Sequence, residues 1–222
     1  MEKSKLTISA VNALNKIEYN HVHHLIIDIW RYRDWADKNE VLPLSELLLD
    51  EVLLTSSQLF VVKYHKKTVG MLAASLLKNS LSQSYVRLRK LTALSQLVYK
   101  NNPEKVFDFY LETLKLNERL LQKCNQNFDA SLNFLILDQQ YHGLGIGNEL
   151  YRLFISYLTT HHASNFYLFT DSFSNYVFYE KQGLTRIAEQ QFSWSNMINP
   201  PSNELEYYYL YAGNVSKSLK SR

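Results

Sequence analysis

The stretch LNFLILDQQYHGLGIG, residues Leu132–Gly147, carries the strongest structural signal in this sequence. Its apolar start (132–137) is typical of a buried strand, and the run NELYRLFISYL (148–158) that follows has helical periodicity. Glycines at 143, 145 and 147 lie between them. Glycine permits positive φ and has no Cβ, so successive N–H groups can converge on one point. Because the next helix directs its own N-terminal N–H groups there, the stretch predicts a cup for a phosphate or pyrophosphate.

Two familiar phosphate-binding folds fit this stretch poorly. A P-loop needs Lys and then Ser or Thr after its last glycine, whereas Asn148 and Glu149 follow Gly147. A dinucleotide fold is supported by Asp171, near the position of a ribose-binding acid, but it needs a third glycine inside the helix. The chain after Asp171 is also too short for the further strand and helix units of that fold. A tight turn without any ligand stays open as an alternative.

Patterns elsewhere predict an α+β fold with a mixed sheet. Helical spacing predicts one helix over 20–37 and another over 45–54, with Pro43 and Ser45 at its start. Residues 59–77 predict two strands joined by a turn at 65–67, and 85–125 return to helical spacing with a start signal at Asn102-Pro103-Glu104. The later elements are predicted as a strand (131–138), a helix (145–162), a strand (165–171), a short helix (174–182) and strands at 185–194 and 204–212. Strand, helix and strand in succession imply a parallel pair with a right-handed crossover.

Composition limits the class of protein. The 222 residues, 46% hydrophobic and 20% charged, suit one globular domain, and a net charge of +3 is too small to indicate nucleic-acid binding. The lone Cys124 excludes an intrachain disulfide or a thiolate zinc site and makes the cytoplasm the expected location. No run approaches the roughly 20 apolar residues of a membrane-spanning helix, so no membrane association is expected. His21, His23 and His24 lack the partners of a metal site, and none is predicted.

Two motifs resemble those of the GCN5-related N-acetyltransferases, the GNAT superfamily. The opening stretch is similar to the acetyl-CoA-binding motif, Gln/Arg-x-x-Gly-x-Gly/Ala, with His142 in the Gln/Arg position and Gly145 and Gly147 matching. TDSFSNYVFYEKQGL (170–184) is similar to the later segment Asn-x-x-Phe-Tyr-Glu-Lys-x-Gly-Phe, with Leu184 in place of Phe. The resemblance covers 131–212 and includes the hairpin at 59–77. It says nothing of 85–125, a predicted helical insertion in a single domain, 1–222.

The resemblance implies a mostly antiparallel sheet in which a parallel strand pair splays apart at the cofactor site. It implies transfer of an acetyl group from acetyl-CoA to a primary amine of a small molecule or peptide, in a ternary complex. A backbone N–H of 135–137 would stabilise the oxyanion, and the Tyr179 phenol would protonate the leaving thiolate. The residues expected to contact the coenzyme are Leu135, Ile136, Leu137, His142, Gly143, Leu144, Gly145, Ile146, Gly147, Asn148, Asn175, Phe178 and Tyr179.

The general base is not fixed by the resemblance. Many family members have Glu at the strand position of Ser131, and a serine hydroxyl does not act as a base at neutral pH. Asp129, two residues earlier, is the predicted base, and Glu149 or a chain of water molecules is the alternative. A base is useful because an alkylammonium, with a pKa of about 10.4, is almost wholly protonated at pH 7. The missing Glu also leaves open a non-catalytic coenzyme A-binding domain.

The acceptor and the oligomeric state are left open by the sequence. Trp30, Trp35 and Trp194 either line an acceptor pocket or belong to the core, and the core is favoured for the first two. The tyrosines at 207–209 alternate faces on the last predicted strand, and a homodimer contact there is a reasonable expectation.

Overall fold

A seven-stranded sheet forms the centre of the computed structural model, which describes residues 5–77, 94, 104–193 and 205–220. Its strands are β1 (Leu6–Val11), β2 (Gln58–Tyr64), β3 (Lys67–Leu76), β4 (Ala130–Leu137), β5 (Asn165–Asp171), β6 (Thr185–Ser193) and β7 (Leu205–Asn214). Their order across the sheet is β1-β2-β3-β4-β5-β7-β6. Every neighbouring pair is antiparallel except β4 and β5, which are parallel. The predicted mixed sheet with one parallel pair is confirmed.

Helices cover both faces of this sheet. They are α1 (Lys16–Ile29), α2 (Tyr32–Trp35), α3 (Val41–Thr55), α4 (Glu104–Gln122), α5 (Ile146–Thr160), α6 (Tyr176–Lys181) and α7 (Val215–Lys220). One face carries α1 and α3 beside β2 to β4, and α4 beside β5 and β7, where Leu116 and Leu120 pack on Tyr208 and Leu210. The opposite face carries α5, whose Phe154 packs on Phe166 of β5. Each fully buried apolar side chain of this kind contributes about 1.5–3 kcal/mol.

The first helical region differs from the prediction. Periodicity predicts one helix over 20–37, but α1 begins earlier and ends at Ile29, because Arg31 adopts a left-handed conformation with φ 52°. The apolar spacing continues past this break because Tyr32 of α2 is itself buried. Asn15 and Glu18 form a capping box, which fixes the start of α1 at Lys16.

One further predicted helix boundary differs from the structure, and two elements have no counterpart in the prediction. Helix α3 begins at Val41, four residues before Ser45, and β1 and α7 were not predicted. Helix α4 lies within the predicted helical region, but 85–93 and 95–103, including the start signal at Asn102-Pro103, lie outside the described residues. The organisation of 1–222 as one domain with a helical insertion stays a prediction. Among the helices that the structure describes, none has both the length and the apolar character to cross a bilayer.

Gly213 on β7 lies too close to Phe166 for any larger residue to fit without a loss of stability. A Cβ added at this glycine would lie 2.2 Å from the Phe166 ring, which is fully buried. Gly213→Ala should therefore lower the free energy of unfolding by about 1–3 kcal/mol, the usual cost of overpacking a core. Urea denaturation measures this. In a Phe166→Leu background the same change should cost clearly less, and equal costs in both backgrounds would contradict the steric explanation.

Candidate functional site

The parallel strands β4 and β5 separate soon after they begin. They form two rungs, Ala130 with Phe166 and Ser131 with Tyr167. Beyond these rungs β4 continues to pair with β3 as far as Leu137, and β5 with β7 as far as Asp171. In the part of the chain that the structure describes, no further rung joins the two facing edges. The splay therefore leaves strand edges whose polar groups can bind an extended ligand.

A β-bulge at Asn133 lies just beyond the last rung. Ala73 pairs with Phe134 and Ala74 with Leu132, so Asn133 is an extra residue in β4. The bulge reverses which residues face which side: Leu132 packs against α5, whereas Phe134 packs with α1 and α3. Bulges bend a strand and interrupt its ladder, which accounts for the divergence of β4 from β5 at this point.

The Asn133 side chain fixes the bulge to the end of α3. Its Oδ1 accepts a hydrogen bond from Ser131 Oγ, and its Nδ2 donates to Thr55 Oγ1 at 3.2 Å and Ser56 Oγ at 3.1 Å. Ser131 itself is buried and uncharged. This network could not be predicted from the sequence, because it depends on a register shift between β3 and β4.

The glycine loop turns the chain from β4 into α5. Gly143 and Gly145 both have φ 78°, which only glycine adopts without strain, and Gly145 is the N-cap of α5. Gly147 instead lies in the helix, where an added Cβ would be 3.4 Å from the Phe178 ring. Two of the three glycines thus serve backbone conformation, and the third allows close packing of α6. His142 Nε2 lies 3.0 Å from the Leu137 carbonyl oxygen and braces the loop.

The loop presents a row of available N–H groups. Within the described residues, none of the six N–H groups from Gly143 to Asn148 donates to a protein acceptor. The next one, of Glu149, donates to the Gly145 carbonyl oxygen at 3.1 Å and begins the helical ladder, while the N–H of His142 donates to Gln139. Together with the α5 dipole, about half a positive charge, these groups give the loop the character of sites that bind anions. The positive φ at Gly143 and Gly145 is the backbone conformation that a cup of this kind requires.

Helix α6 lies against the start of α5 and carries Tyr179. Phe178 meets the Tyr151 ring edge-on at 6.3 Å, and Gln182 Nε2 donates to Asn148 Oδ1 at 2.8 Å. The Tyr179 hydroxyl makes no hydrogen bond to any described residue and is half-buried. Burial raises the pKa of Tyr179, and the nearby negative charge of Asp171 raises it further. The phenol is therefore protonated throughout the neutral range and can act only as a proton donor there.

Glu180, another residue of the second motif, holds α6 against the sheet through two hydrogen bonds. Glu180 Oε1 accepts hydrogen bonds from Tyr211 at 2.7 Å and from Arg186 Nη2 at 2.8 Å. The hydrogen bond from Tyr211 has the largest effect and lowers the pKa of Glu180. Desolvation raises this pKa by less, and Arg186 lowers it further, so that the pKa lies below its ordinary value. The Arg186 guanidinium lies 4.0 Å from the Tyr209 ring centroid. Arg186 was missed from the sequence, because nothing in its spacing marks it as the partner of Glu180.

Both carboxylates considered as bases have other partners. Asp129 Oδ2 accepts from the N–H of Ser164 at 2.8 Å and of Asn165 at 3.2 Å, which ties the start of β4 to the start of β5. Glu149 binds Arg152 on the surface of α5. Both carboxylates therefore stabilise local structure. The role of Asp129 as the general base stays a prediction. Asn175, the N-cap of α6, is exposed and makes no side-chain cap bond.

The tryptophans and histidines of the first helices have packing partners. Trp30 stacks on Phe134 at 5.8 Å, Trp35 Nε1 donates to the Trp30 carbonyl oxygen, and Trp194 lies outside the described residues. His23 Nε2 contacts Ser45 Oγ at 3.0 Å, and His21 Nδ1 accepts from the Thr68 N–H. Over the described ranges, no group of three or more His, Cys, Asp or Glu side chains could hold a metal ion.

Comparison with solved structures identifies the fold. A GNAT family acetyltransferase from Elizabethkingia anophelis, crystallised with acetyl-CoA bound, is 14% identical, with 96% of this chain and 99% of that chain covered and a TM-score of 0.51. The ribosomal-protein-S18-alanine N-acetyltransferase from Escherichia coli is 11% identical, with 95% and 94% covered and a TM-score of 0.52. The protein PH1933 from Pyrococcus horikoshii OT3 is 14% identical, with 94% and 98% covered and a TM-score of 0.55.

No protein-family model matches the sequence, and no curated protein matches it at a significant level. The structural similarity is therefore carried by topology rather than by sequence identity. The chain has the fold of the GCN5-related N-acetyltransferases.

Proposed function

We propose that the protein is an acyl-CoA-dependent N-acetyltransferase that acetylates a primary amine of a small molecule or peptide in a ternary complex. The observation that carries this proposal is the row of six available N–H groups, Gly143 to Asn148, beside the splayed edge of β4. A cup of this kind suits a diphosphate, and a free strand edge next to it suits the amide groups of a pantetheine arm. The Elizabethkingia protein of the same fold binds acetyl-CoA.

The proposed cofactor contacts follow from this arrangement. The N–H groups of 143–148 would hold the diphosphate, and the edge of β4 at 135–137 would bind the extended arm. When bound, acetyl-CoA supplies the acetyl group as an activated thioester. A backbone N–H of 135–137 would stabilise the negative charge that develops on the carbonyl oxygen, a role typically worth about 3–4 kcal/mol.

Tyr179 is the proposed acid. The amine nitrogen forms a bond to the acetyl carbon as the carbon–sulfur bond breaks. The departing thiolate takes a proton from the Tyr179 hydroxyl, which has no competing partner among the described residues. The raised pKa of Tyr179 keeps that proton in place until it is needed. The proton lost by the amine passes to Asp129, the base predicted from the sequence, or through water to solvent, since Ser131 carries no basic group. A proton from solvent then restores the Tyr179 phenol for the next turnover.

A non-catalytic coenzyme A-binding domain is the second candidate, favoured by the neutral Ser131–Asn133 pair where the family's Glu would stand. A thiol-release assay with acetyl-CoA and a panel of primary amines distinguishes the two, alongside calorimetric titration of acetyl-CoA. Amine-dependent release of thiol supports the enzyme. Tight binding of acetyl-CoA without release for any amine supports the binding domain.

The pH dependence should show no ionisation of Tyr179 in the working range. Because its pKa is raised above the ordinary value of about 10, the acid form persists to that pH and beyond. We expect kcat/KM to rise with pH as the acceptor amine loses its proton, and to show no decline below about pH 10. Steady-state rates from pH 6 upward measure this. A decline centred below pH 9 that disappears in Tyr179→Phe would contradict the assignment.

A further inference from the structure

Three side chains form a closed ring of hydrogen bonds between α6 and the sheet. The Tyr211 hydroxyl donates to Glu180 Oε1 at 2.7 Å, and Arg186 Nη2 donates to the same oxygen at 2.8 Å. Arg186 Nε completes the ring by donating to the Tyr211 oxygen at 3.1 Å. Glu180 lies on α6, Arg186 on β6 and Tyr211 on β7. We call these three side chains the α6 clamp, because they join one short helix to two strands.

The two clamp residues on the strands are held firmly by their surroundings. Tyr211 is fully buried, and the Arg186 guanidinium lies over the Tyr209 ring. Burial raises the pKa of Tyr211 to about 12, and the hydrogen bond to Glu180 acts in the same direction, so the phenol keeps its proton. The Glu180 carboxylate is ionised at neutral pH. Two donors that converge on one charged oxygen make short, directional hydrogen bonds, which fix the position of the carboxylate.

Helix α6 depends on such contacts for its orientation. It has six residues, and helices shorter than about 12 residues are marginally stable alone. Phe178 and the C-cap Gln182, four residues apart, hold one stripe of the helix against α5. Contacts along a single stripe leave the helix able to roll about its axis. Glu180 lies about 200° around the axis from Phe178, so its hydrogen bonds to the sheet prevent the roll.

The direction of the Tyr179 phenol depends on that roll. Tyr179 lies between Phe178 and Glu180, about 100° around the axis from each. Its hydroxyl makes no hydrogen bond to any described residue that would hold it by itself. A roll of about 10° moves a group about 6 Å from the axis by about 1 Å. A misplacement of this size can lower a reaction rate by about 10²-fold.

We infer that Arg186 and Tyr211 are positioning residues, which direct the Tyr179 phenol towards the leaving sulfur by fixing Glu180 and therefore the roll of α6. This inference rests on the proposed role of Tyr179 as the acid. In the part of the chain that the structure describes, no hydrogen bond or ring contact joins Arg186 to Tyr179. The effect of Arg186 therefore passes through Glu180 and the helix backbone.

The first test is a double-mutant cycle between Arg186→Met and Tyr179→Phe, measured as single-turnover rates with saturating acetyl-CoA and a confirmed acceptor. Met keeps an apolar stem over the Tyr209 ring and removes the donors. Arg186→Met alone should lower the transfer rate constant about tenfold or more, and acetyl-CoA affinity should stay within about twofold. In the Tyr179→Phe background the same change should cost less than about twofold, because the acid is already absent. Equal factors in both backgrounds would overturn the inference.

Two further variants make the cycle specific. Tyr211→Phe keeps the buried ring and removes the hydroxyl, so it should lower the transfer rate in the same direction as Arg186→Met. Glu189→Gln is the matched control. Glu189 Oε2 accepts from Arg186 Nη1 at 3.3 Å, but this carboxylate lies on β6 and makes no hydrogen bond to α6 among the described residues. Its rate should stay within about twofold of the wild type, and a loss as large as that of Arg186→Met would overturn the inference.

A spectroscopic test is independent of activity. Protein carrying 3-fluorotyrosine at position 179 alone reports the surroundings of this ring by fluorine NMR. Arg186→Met should move or broaden the signal, and Glu189→Gln should leave it in place. An unchanged signal in both Arg186→Met and Tyr211→Phe would overturn the inference. Absence of acetyl transfer by the wild type with every amine overturns the acetyltransferase proposal by itself, and the fluorine signal still decides whether the clamp orients Tyr179.

Discussion

Replacing Tyr179 by Phe should lower the rate constant of acetyl transfer by about 10²- to 10⁴-fold, the usual contribution of a positioned proton donor. The change removes the hydroxyl and keeps the ring, which packs with Phe178 at 5.4 Å and Tyr211 at 6.3 Å. The affinity for acetyl-CoA should therefore change little. Single-turnover rates, measured with a confirmed acceptor, report the transfer step itself.

Tyr176→Phe provides the matched control for this experiment. Tyr176 lies on the same short helix, three residues earlier, and its ring contacts Tyr209 and the Arg186 guanidinium rather than the cup. Its loss of a hydroxyl should leave the transfer rate within about twofold, as is usual for changes outside the chemistry. Equal rates for the wild type and Tyr179→Phe, with the transfer step limiting, would contradict the role of Tyr179.

Gly143→Glu should reduce the affinity for acetyl-CoA by about 10²-fold or more. It places a carboxylate beside N–H groups that would otherwise bind a diphosphate, and hydrogen bonds to charged groups are worth about 1.5–3 kcal/mol each. No protein atom lies within 4 Å of an added Cβ, so the side chain needs no repacking of neighbours. Its φ of 78° adds a strain of about 1–2 kcal/mol to the folded state.

Gly183→Glu separates that strain from the loss of binding. Gly183, which follows the end of α6, has φ 80° and likewise has nothing within 4 Å of an added Cβ. Both variants should show a similar fall in stability by urea denaturation, and only Gly143→Glu should lose acetyl-CoA affinity in calorimetric titration. Similar losses of affinity in both variants would show that backbone strain, and not the cup, is responsible.

The cup could be predicted from the sequence because its determinants are local. Glycines at 143 and 145, a preceding apolar strand and a following amphipathic helix fix the conformation within one short stretch. The second motif was equally local, since Phe178 and Tyr179 lie on one turn of α6. In the structure the Phe178 ring lies close to Gly147, which brings the two motifs together.

Features that depend on register or on distant partners could not be predicted. The bulge at Asn133 exists only relative to β3, and the hydrogen bonds to Thr55 and Ser56 join residues far apart in sequence. The break at Arg31 was hidden because Tyr32 continues the apolar pattern beyond the end of α1. Strand β1 could not be predicted because it is a short strand at the edge of the sheet. None of its residues is fully buried, so apolar and polar side chains alternate only weakly along it. The expected base, Asp129, proved to be tied to Ser164 and Asn165.

The proposed function depends on binding of the acetyl-CoA diphosphate by the N–H groups of Gly143 to Asn148. Titration of isotope-labelled protein with acetyl-CoA, followed by amide correlation spectroscopy, tests it directly. We expect the amide signals of these six residues to shift over the same range of acetyl-CoA concentration in which calorimetry shows binding, and we expect Gly143→Glu to abolish the shifts. Binding of acetyl-CoA that leaves these amide signals in place while moving others would contradict it.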